Sequence, residues 1–403
     1  MQALNAKKIA PEHINQSPSY IAIFLIGIAQ IMVWGGSFYL LSVLGRPIMD
    51  EMGWGREVVY GALSFSIFIS ALLLPYIGKL ISKYEGKIIL ALSGVITALG
   101  MLILAFSTGL LSFYMAWLVL GIGMALGLYD TLFAVLGNYF GLHAKSTITT
   151  VTLISGFCTT TVWPLQAYMV SLVGWRETCL YWAIALVLIV WPIYYYCLPA
   201  KPVKDQAKIP PKTSLVKMTL SKKIYSLMST IFIITSIIVT VMSVQLIDIL
   251  QEEGMSLAAA IAVSAVLGPS QVIARIFDLV IKFNHPIKSL FLSIILVLCG
   301  LILLVVYPKY ALFAIIIYGA GNGLRSIVRG TLPLVLVKKE EYALVMGKLA
   351  RPSLIAQALT PFIVGYMIDT LSALYALYSV AILAFINILL SISLLNEIKK
   401  SET

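Results

Sequence analysis

The chain has 403 residues, of which 60% are apolar and 11% charged, with a formal net charge of +11. Soluble proteins carry about 25% charged residues, and no water-facing surface hides this much apolar side chain, so hydrocarbon is the expected solvent. In a soluble chain the positive excess would suggest nucleic acid. Here it sits in short segments between apolar runs, which argues against that partner and for membrane orientation.

A crossing helix needs about 20 apolar residues. Runs of that kind occur at 19–44, 57–79, 88–107, 110–138, 147–172 and 175–199, and again at 223–250, 255–281, 288–307, 310–337, 345–368 and 371–396. The first 18 residues are polar and the run after them is too long for a signal peptide, so no cleavable leader is expected. The stretch 200–222 is polar, basic and proline-bearing. The expected fold is an all-α membrane protein of twelve transmembrane helices in two pseudo-symmetric six-helix bundles. The bundles would span 1–199 and 223–403, joined by a cytoplasmic linker at 200–222.

Orientation follows from lysine and arginine. With the N-terminus inside, twenty of the 28 basic residues fall on the cytoplasmic side. Four (Arg46, Arg56, Arg176, Lys309) fall opposite, and four (Arg275, Arg325, Arg329, Arg351) lie within helices. Both termini are therefore expected in the cytoplasm of a bacterial inner-membrane protein. The two halves also resemble each other. IMDEMGWG (48–55) parallels ILQEEGMS (249–256), GIGMALG (121–127) parallels GAGNGLR (319–325), and VWPLQAYM (162–169) parallels LTPFIVGY (359–366), all at offsets near 200. Internal repeats of this kind are common in transporters, with the substrate site near the midplane between the halves.

At this point the chain resembles the major facilitator superfamily over nearly its whole length. GKLISKYEGK (78–87) is similar to that superfamily's signature between the second and third helices, through Gly78, Leu80, Lys83 and Lys87. Ser82 stands where the family usually has aspartate, and Glu85 where it usually has glycine. The resemblance implies gating roles for Gly78, Lys83 and Lys87. Gly53–Trp54, GPSQVIARIFDLV (268–280) and GNGLRSIVRGTLPL (321–334) look similar to bacterial monocarboxylate-porter-like members.

Ionisable groups within spans are expensive, at roughly 2.5–3.5 kcal/mol each on insertion scales, and read as functional by default. In the tenth run Asn322, Arg325 and Arg329 share one helical face. Arginine grips carboxylate or phosphate bidentately, so these are candidate substrate-binding residues, the alternative being structural pairing with acidic residues. Asp130, in the fourth run, is a candidate proton-coupling carboxylate or an ion-pair partner. The resemblance places it opposite Arg325 across a central cavity, because the first, fourth, seventh and tenth helices line the cavity in that superfamily. In the eighth run Arg275 and Asp278 could simply pair with each other; the resemblance implies a substrate-binding or gating role for Arg275, and Asp278 is a candidate for coupling. Arg351 lies near the cytoplasmic end of the eleventh run and is assigned to gating. Trp34, Tyr39 and Gln166 could line a cavity. Gln245 and Asp248 could sit at its mouth.

Four in-span arginines outnumber the in-span carboxylates, which favours an anionic organic solute, a monocarboxylate in the plainest case. A citrate-type siderophore would satisfy the same arginines. The chain is expected to act as a monomer in lipid, a symporter of a small anion with no cofactor, no metal and no nucleic-acid partner. Export of amphipathic compounds or siderophores is the alternative within transporters. A membrane enzyme would need a cluster of nucleophile, base or metal ligands. The sequence has no HExxH motif, no P-loop and no histidine within a span. A non-transporting sensor usually carries an extra soluble domain, and none is evident.

Overall fold

The computed structural model describes residues 19–140, 144–199, 220–281, 286–337 and 342–402, and every regular element among them is helical. The basic segment 200–219, and with it Lys7, Lys8, Lys282, Lys338 and Lys339, lies outside the described residues. Before that segment come α1 (Tyr20–Gly35), α2 (Leu41–Met52), α3 (Arg56–Lys83), α4 (Gly86–Ala105), α5 (Leu110–Gly127), α6 (Tyr129–Phe140), α7 (Ala144–Ser155), α8 (Cys158–Ala185) and α9 (Trp191–Cys197). After it come α10 (Lys222–Val244), α11 (Leu246–Glu252), α12 (Leu257–Ala265), α13 (Leu267–Ile281), α14 (Pro286–Val306), α15 (Ala311–Leu336), α16 (Tyr342–Thr370) and α17 (Ala373–Glu402).

Nine helical stretches among the described residues are long and apolar enough to cross a membrane. They depart from the twelve predicted runs in three places, each with a local cause. The first run is interrupted between α1 and α2 by a turn at Gly36–Leu40. Gly35 and Gly36 press against Val162 and Trp182, where an added Cβ would approach Val162 to 2.7 Å and Trp182 to 2.8 Å. The fifth and sixth runs form one stretch, Ser146–Cys197. Gly174 divides it by adopting φ 84°, which non-glycine side chains resist. The eleventh run, α16, carries Lys348, Arg351 and Asp369 and is not among the nine apolar stretches.

Local geometry repeats along the chain. Gly53 closes α2 at φ 66°, and Gly254, 201 positions later, has φ 93° after α11. The caps of the next helices, Gly55 before α3 and Ser256 before α12, keep the same spacing.

Helices from before and after the central segment pack directly on one another. The backbone N–H of Phe362 in α16 donates to Ser64 Oγ in α3 at 3.0 Å. Thr160 in α8 donates to the Ala265 carbonyl of α12 at 2.7 Å, and Ser42 in α2 to the Ser243 carbonyl of α10 at 2.9 Å. The seam ends in a charge cluster. Arg56 Nε donates to Asp248 Oδ2 at 2.8 Å and Arg56 Nη1 to Asp369 Oδ1 at 2.6 Å, and Arg56 also reaches Glu252. Arg46 adds a 2.9 Å bond to Glu252. Asp248 is only 3% exposed, so this pairing relieves a charge held out of water.

The α14–α15 contact depends on missing side chains. A Cβ on Gly321 would come within 2.6 Å of the Ser293 carbonyl oxygen, and one on Gly300 within 2.6 Å of the Tyr318 nitrogen. Both neighbours are backbone and cannot swing aside. Gly321→Leu is therefore expected to destabilise the protein by at least the ~1–3 kcal/mol of an overpacked core. It should lower the melting temperature of detergent-purified protein, whereas Gly78→Ala, inside α3 with nothing within 4 Å, should not lower it.

Candidate functional site

Two unlike walls face each other inside the helices. The first is aromatic. The turn after α1 folds Tyr39 back, its N–H bonding the Trp34 carbonyl at 3.0 Å. The Trp34 ring lies 5.7 Å from Tyr39 and 4.8 Å from Tyr129, and Tyr129 stacks on Phe133 at 5.1 Å. Two of the rings are pinned by their polar ends. Trp34 Nε1 donates to Gln30 Oε1 at 3.1 Å, and the Tyr129 hydroxyl meets Ser155 Oγ at 2.7 Å. Gln30 is itself held by donating to the Gly127 carbonyl and Tyr194 hydroxyl at 2.7 and 2.6 Å. All four rings remain partly accessible.

The second wall is cationic, built from Arg275 on α13 and Arg325 and Arg329 on α15. Arg325 Nε donates to Asn322 Oδ1 at 2.8 Å, which fixes the guanidinium on its own helix. Arg275 Nη1 donates to the Thr152 carbonyl of α7 at 3.0 Å and Nη2 to Gln271 Oε1 at 3.3 Å. Arg325 lies within electrostatic reach of Arg275, Arg329, Tyr318 and Tyr39, and Arg275 within reach of Tyr39 and Tyr129. The walls therefore share one region. Among the described residues no carboxylate comes within ion-pair distance of any of the three arginines. Asp130, exposed at the start of α6, feels Arg329 through space without touching it. Asn322, Arg325 and Arg329 also line a cavity that reaches α10, α14 and α17.

The remaining expected residues are dispersed. Arg275 and Asp278 do not pair, since the Asp278 carboxylate accepts from Ser289 Oγ at 2.8 Å. Gln166 is fully buried and donates to the Gly35 carbonyl at 2.9 Å, so its amide nitrogen ties α8 to α1. Lys87 pairs with Glu85 at 3.3 Å and lies over the Tyr195 ring, Lys83 lies over Tyr84, and Gly78 and Arg351 are exposed. Two features escaped the sequence reading. One is Tyr129, whose ring contact with Trp34 joins α6 to α1. The Arg56 cluster joins residues up to 313 positions apart. No group of three or more metal-ligating side chains occurs among the described residues.

The model of the Major Facilitator Superfamily matches residues 23–350. No curated protein matches the chain. Among solved structures, the nucleoside transporter NupG, in a substituted form, aligns with TM-score 0.73 at 15% identity, covering 93% of this chain and 98% of its own. A D-xylose–proton symporter aligns with TM-score 0.71 at 14% identity, covering 93% and 97%. A bacterial homologue of the human lysosomal transporter Spinster, inward-facing and occupied, aligns with TM-score 0.70 at 12% identity, covering 94% and 96%. At these identities the likeness is one of fold.

Proposed function

Because this chain belongs to the Major Facilitator Superfamily, whose members are transmembrane transporters, we propose that it is a secondary active transporter of a small organic anion. Twelve transmembrane helices form two six-helix bundles, residues 1–199 and 223–403, joined by a cytoplasmic linker at 200–222. Both termini face the cytoplasm of a bacterial inner membrane, so the Arg56 cluster closes the outer face. The protein works as a monomer, by alternating access around the midplane site.

One observation supports the anion most strongly: Arg275, Arg325 and Arg329 gather in one region with no carboxylate paired to them among the described residues. Unpaired charge away from water is unfavourable by several kcal/mol, and a carboxylate ligand relieves it with short, charge-assisted hydrogen bonds. The aromatic wall offers Trp34, Tyr39 and Tyr129 to the ligand's apolar body. Asn322 positions Arg325. Gln166, by its burial, acts by holding α1. Asp130 carries the coupling proton: protonated, it no longer attracts Arg329 across the gap. Asp278 is a weaker coupling site because Ser289 already satisfies one oxygen. Lys83, Lys87, Gly78 and Arg351 belong to the inner gate. The monocarboxylate-porter-like motifs around Arg275 and Arg325 favour a carboxylate over other anions.

Proteoliposomes with an imposed inward proton gradient should accumulate radiolabelled L-lactate or citrate, and tetraphenylphosphonium should not compete. Competition by the organic cation together with indifference to both acids would overturn the anionic substrate. Asp130→Asn should reduce gradient-driven accumulation at least tenfold while preserving anion exchange. Equal loss of both activities would remove the coupling role.

A further inference from the structure

Resting on the anionic reading above, we propose that the ligand also carries a hydrogen-bond donor, a hydroxyl or an N–H, which Asn387 and Tyr318 recognise in a side pocket off the arginine wall. The pocket is the cavity between α10, α14, α15 and α17, lined by Tyr318, Asn322, Arg325, Arg329 and Asn387. Arg325 belongs to both spaces, lining this cavity while lying within electrostatic reach of Tyr39 on the aromatic wall.

The polar chemistry of the pocket is one-sided until the far wall is considered. Guanidinium groups only donate hydrogen bonds, so Arg325 and Arg329 call for an acceptor. Opposite them, Asn387 on α17 is 2% exposed. Its Nδ2 donates to Thr235 Oγ1 at 3.0 Å, and Thr235 spends its own hydrogen on the Ile231 carbonyl. Thr235 can therefore only accept from Asn387, which fixes the amide orientation and leaves Asn387 Oδ1 as a pure acceptor. That oxygen is buried and has no partner among the described residues. The Tyr318 hydroxyl, on a residue 1% exposed, is likewise buried without a partner. Buried polar atoms in folded proteins are almost always hydrogen-bonded. Two of them lining one cavity with Arg325 and Arg329 describe a ligand with an anionic end and a hydrogen-bond donor. A hydroxycarboxylate is the simplest such compound. Sites built to hydrogen-bond a hydroxyl discriminate strongly against analogues that lack it, because the protein's own polar groups are then left unpaired.

The test is calorimetric titration of the purified full-length protein with three matched pairs: L-lactate and propionate, L-malate and succinate, L-mandelate and phenylacetate. In the native protein at least one hydroxy acid should bind 10-fold or more tightly than its deoxy partner. Tyr318→Phe and Asn387→Leu should each bring that ratio to within about threefold while leaving the deoxy partner's affinity unchanged. Tyr318→Phe, which removes only the hydroxyl oxygen, keeps the test decisive if Asn387→Leu misfolds. Equal binding within every pair by the native protein, or a ratio that survives both substitutions, overturns this inference and leaves the anionic reading standing. Binding of none of the six acids overturns the anionic reading, and this inference with it.

Discussion

Arg325→Ala is expected to reduce transport at least 100-fold while the protein inserts, folds and accumulates normally. The guanidinium donates to Asn322 at 2.8 Å and has no carboxylate partner among the described residues, so no buried acidic group is orphaned by its removal. In the proposed site, what disappears is the ligand's charge-assisted hydrogen bonding, at about 1.5–3 kcal/mol per bond to a charged group, or more than a tenfold effect for each bond lost. Arg325→Lys should recover only part of the activity, because an ammonium cannot present two parallel donors to one carboxylate. Uptake in proteoliposomes, normalised to protein recovered by size exclusion, measures both variants. Full activity in Arg325→Ala would remove the residue from the site.

Arg56→Ala should have the second large effect, on the balance between conformations. Arg56 holds three carboxylates from α11 and α16 against α3, and one of them, Asp248, is 3% exposed. Deleting one partner of a buried pair is unfavourable by about 3–5 kcal/mol, whereas Glu252, at 36% exposure, contributes at most about 1 kcal/mol. Three kcal/mol spent on one state shifts a two-state population more than 100-fold. Ser42→Cys, placed where α2 meets α10, reports on that seam. In a background with Cys197 and Cys299 replaced by serine, the introduced thiol should react slowly with a membrane-impermeant maleimide. Adding Arg56→Ala should accelerate the reaction at least tenfold, and adding Asp248→Asn should restore part of the protection. An unchanged rate would show that the charges do not hold the seam closed.

What could be read before the structure follows the range of the forces involved. Apolar runs are local, so most spans were legible, and so were the three arginines, because charge within such a run is conspicuous. The interruption at Gly36–Leu40 was less so. It depends on Trp182 and Val162 filling the space beside Gly35 and Gly36, which spacing alone cannot reveal. Tyr129 was passed over for the same reason, since its role rests on Trp34 lying 4.8 Å away across another helix. Gln166 read as a cavity residue because a polar amide in a span invites that inference, yet the Gly35 carbonyl claims its nitrogen. Arg46 and Arg56 entered only as orientation charges. Their partners Asp248, Glu252 and Asp369 are distant in sequence, and no local pattern announces the meeting.

A latch made of guanidinium and carboxylate groups has surfaces that water welcomes once they part. An oily latch of equal area would expose apolar surface at every opening, and the two faces would cling or recruit lipid. Ionic faces rehydrate instead, so much of the attraction lost on separation returns as solvation. The gap between shut and open then stays small in either direction.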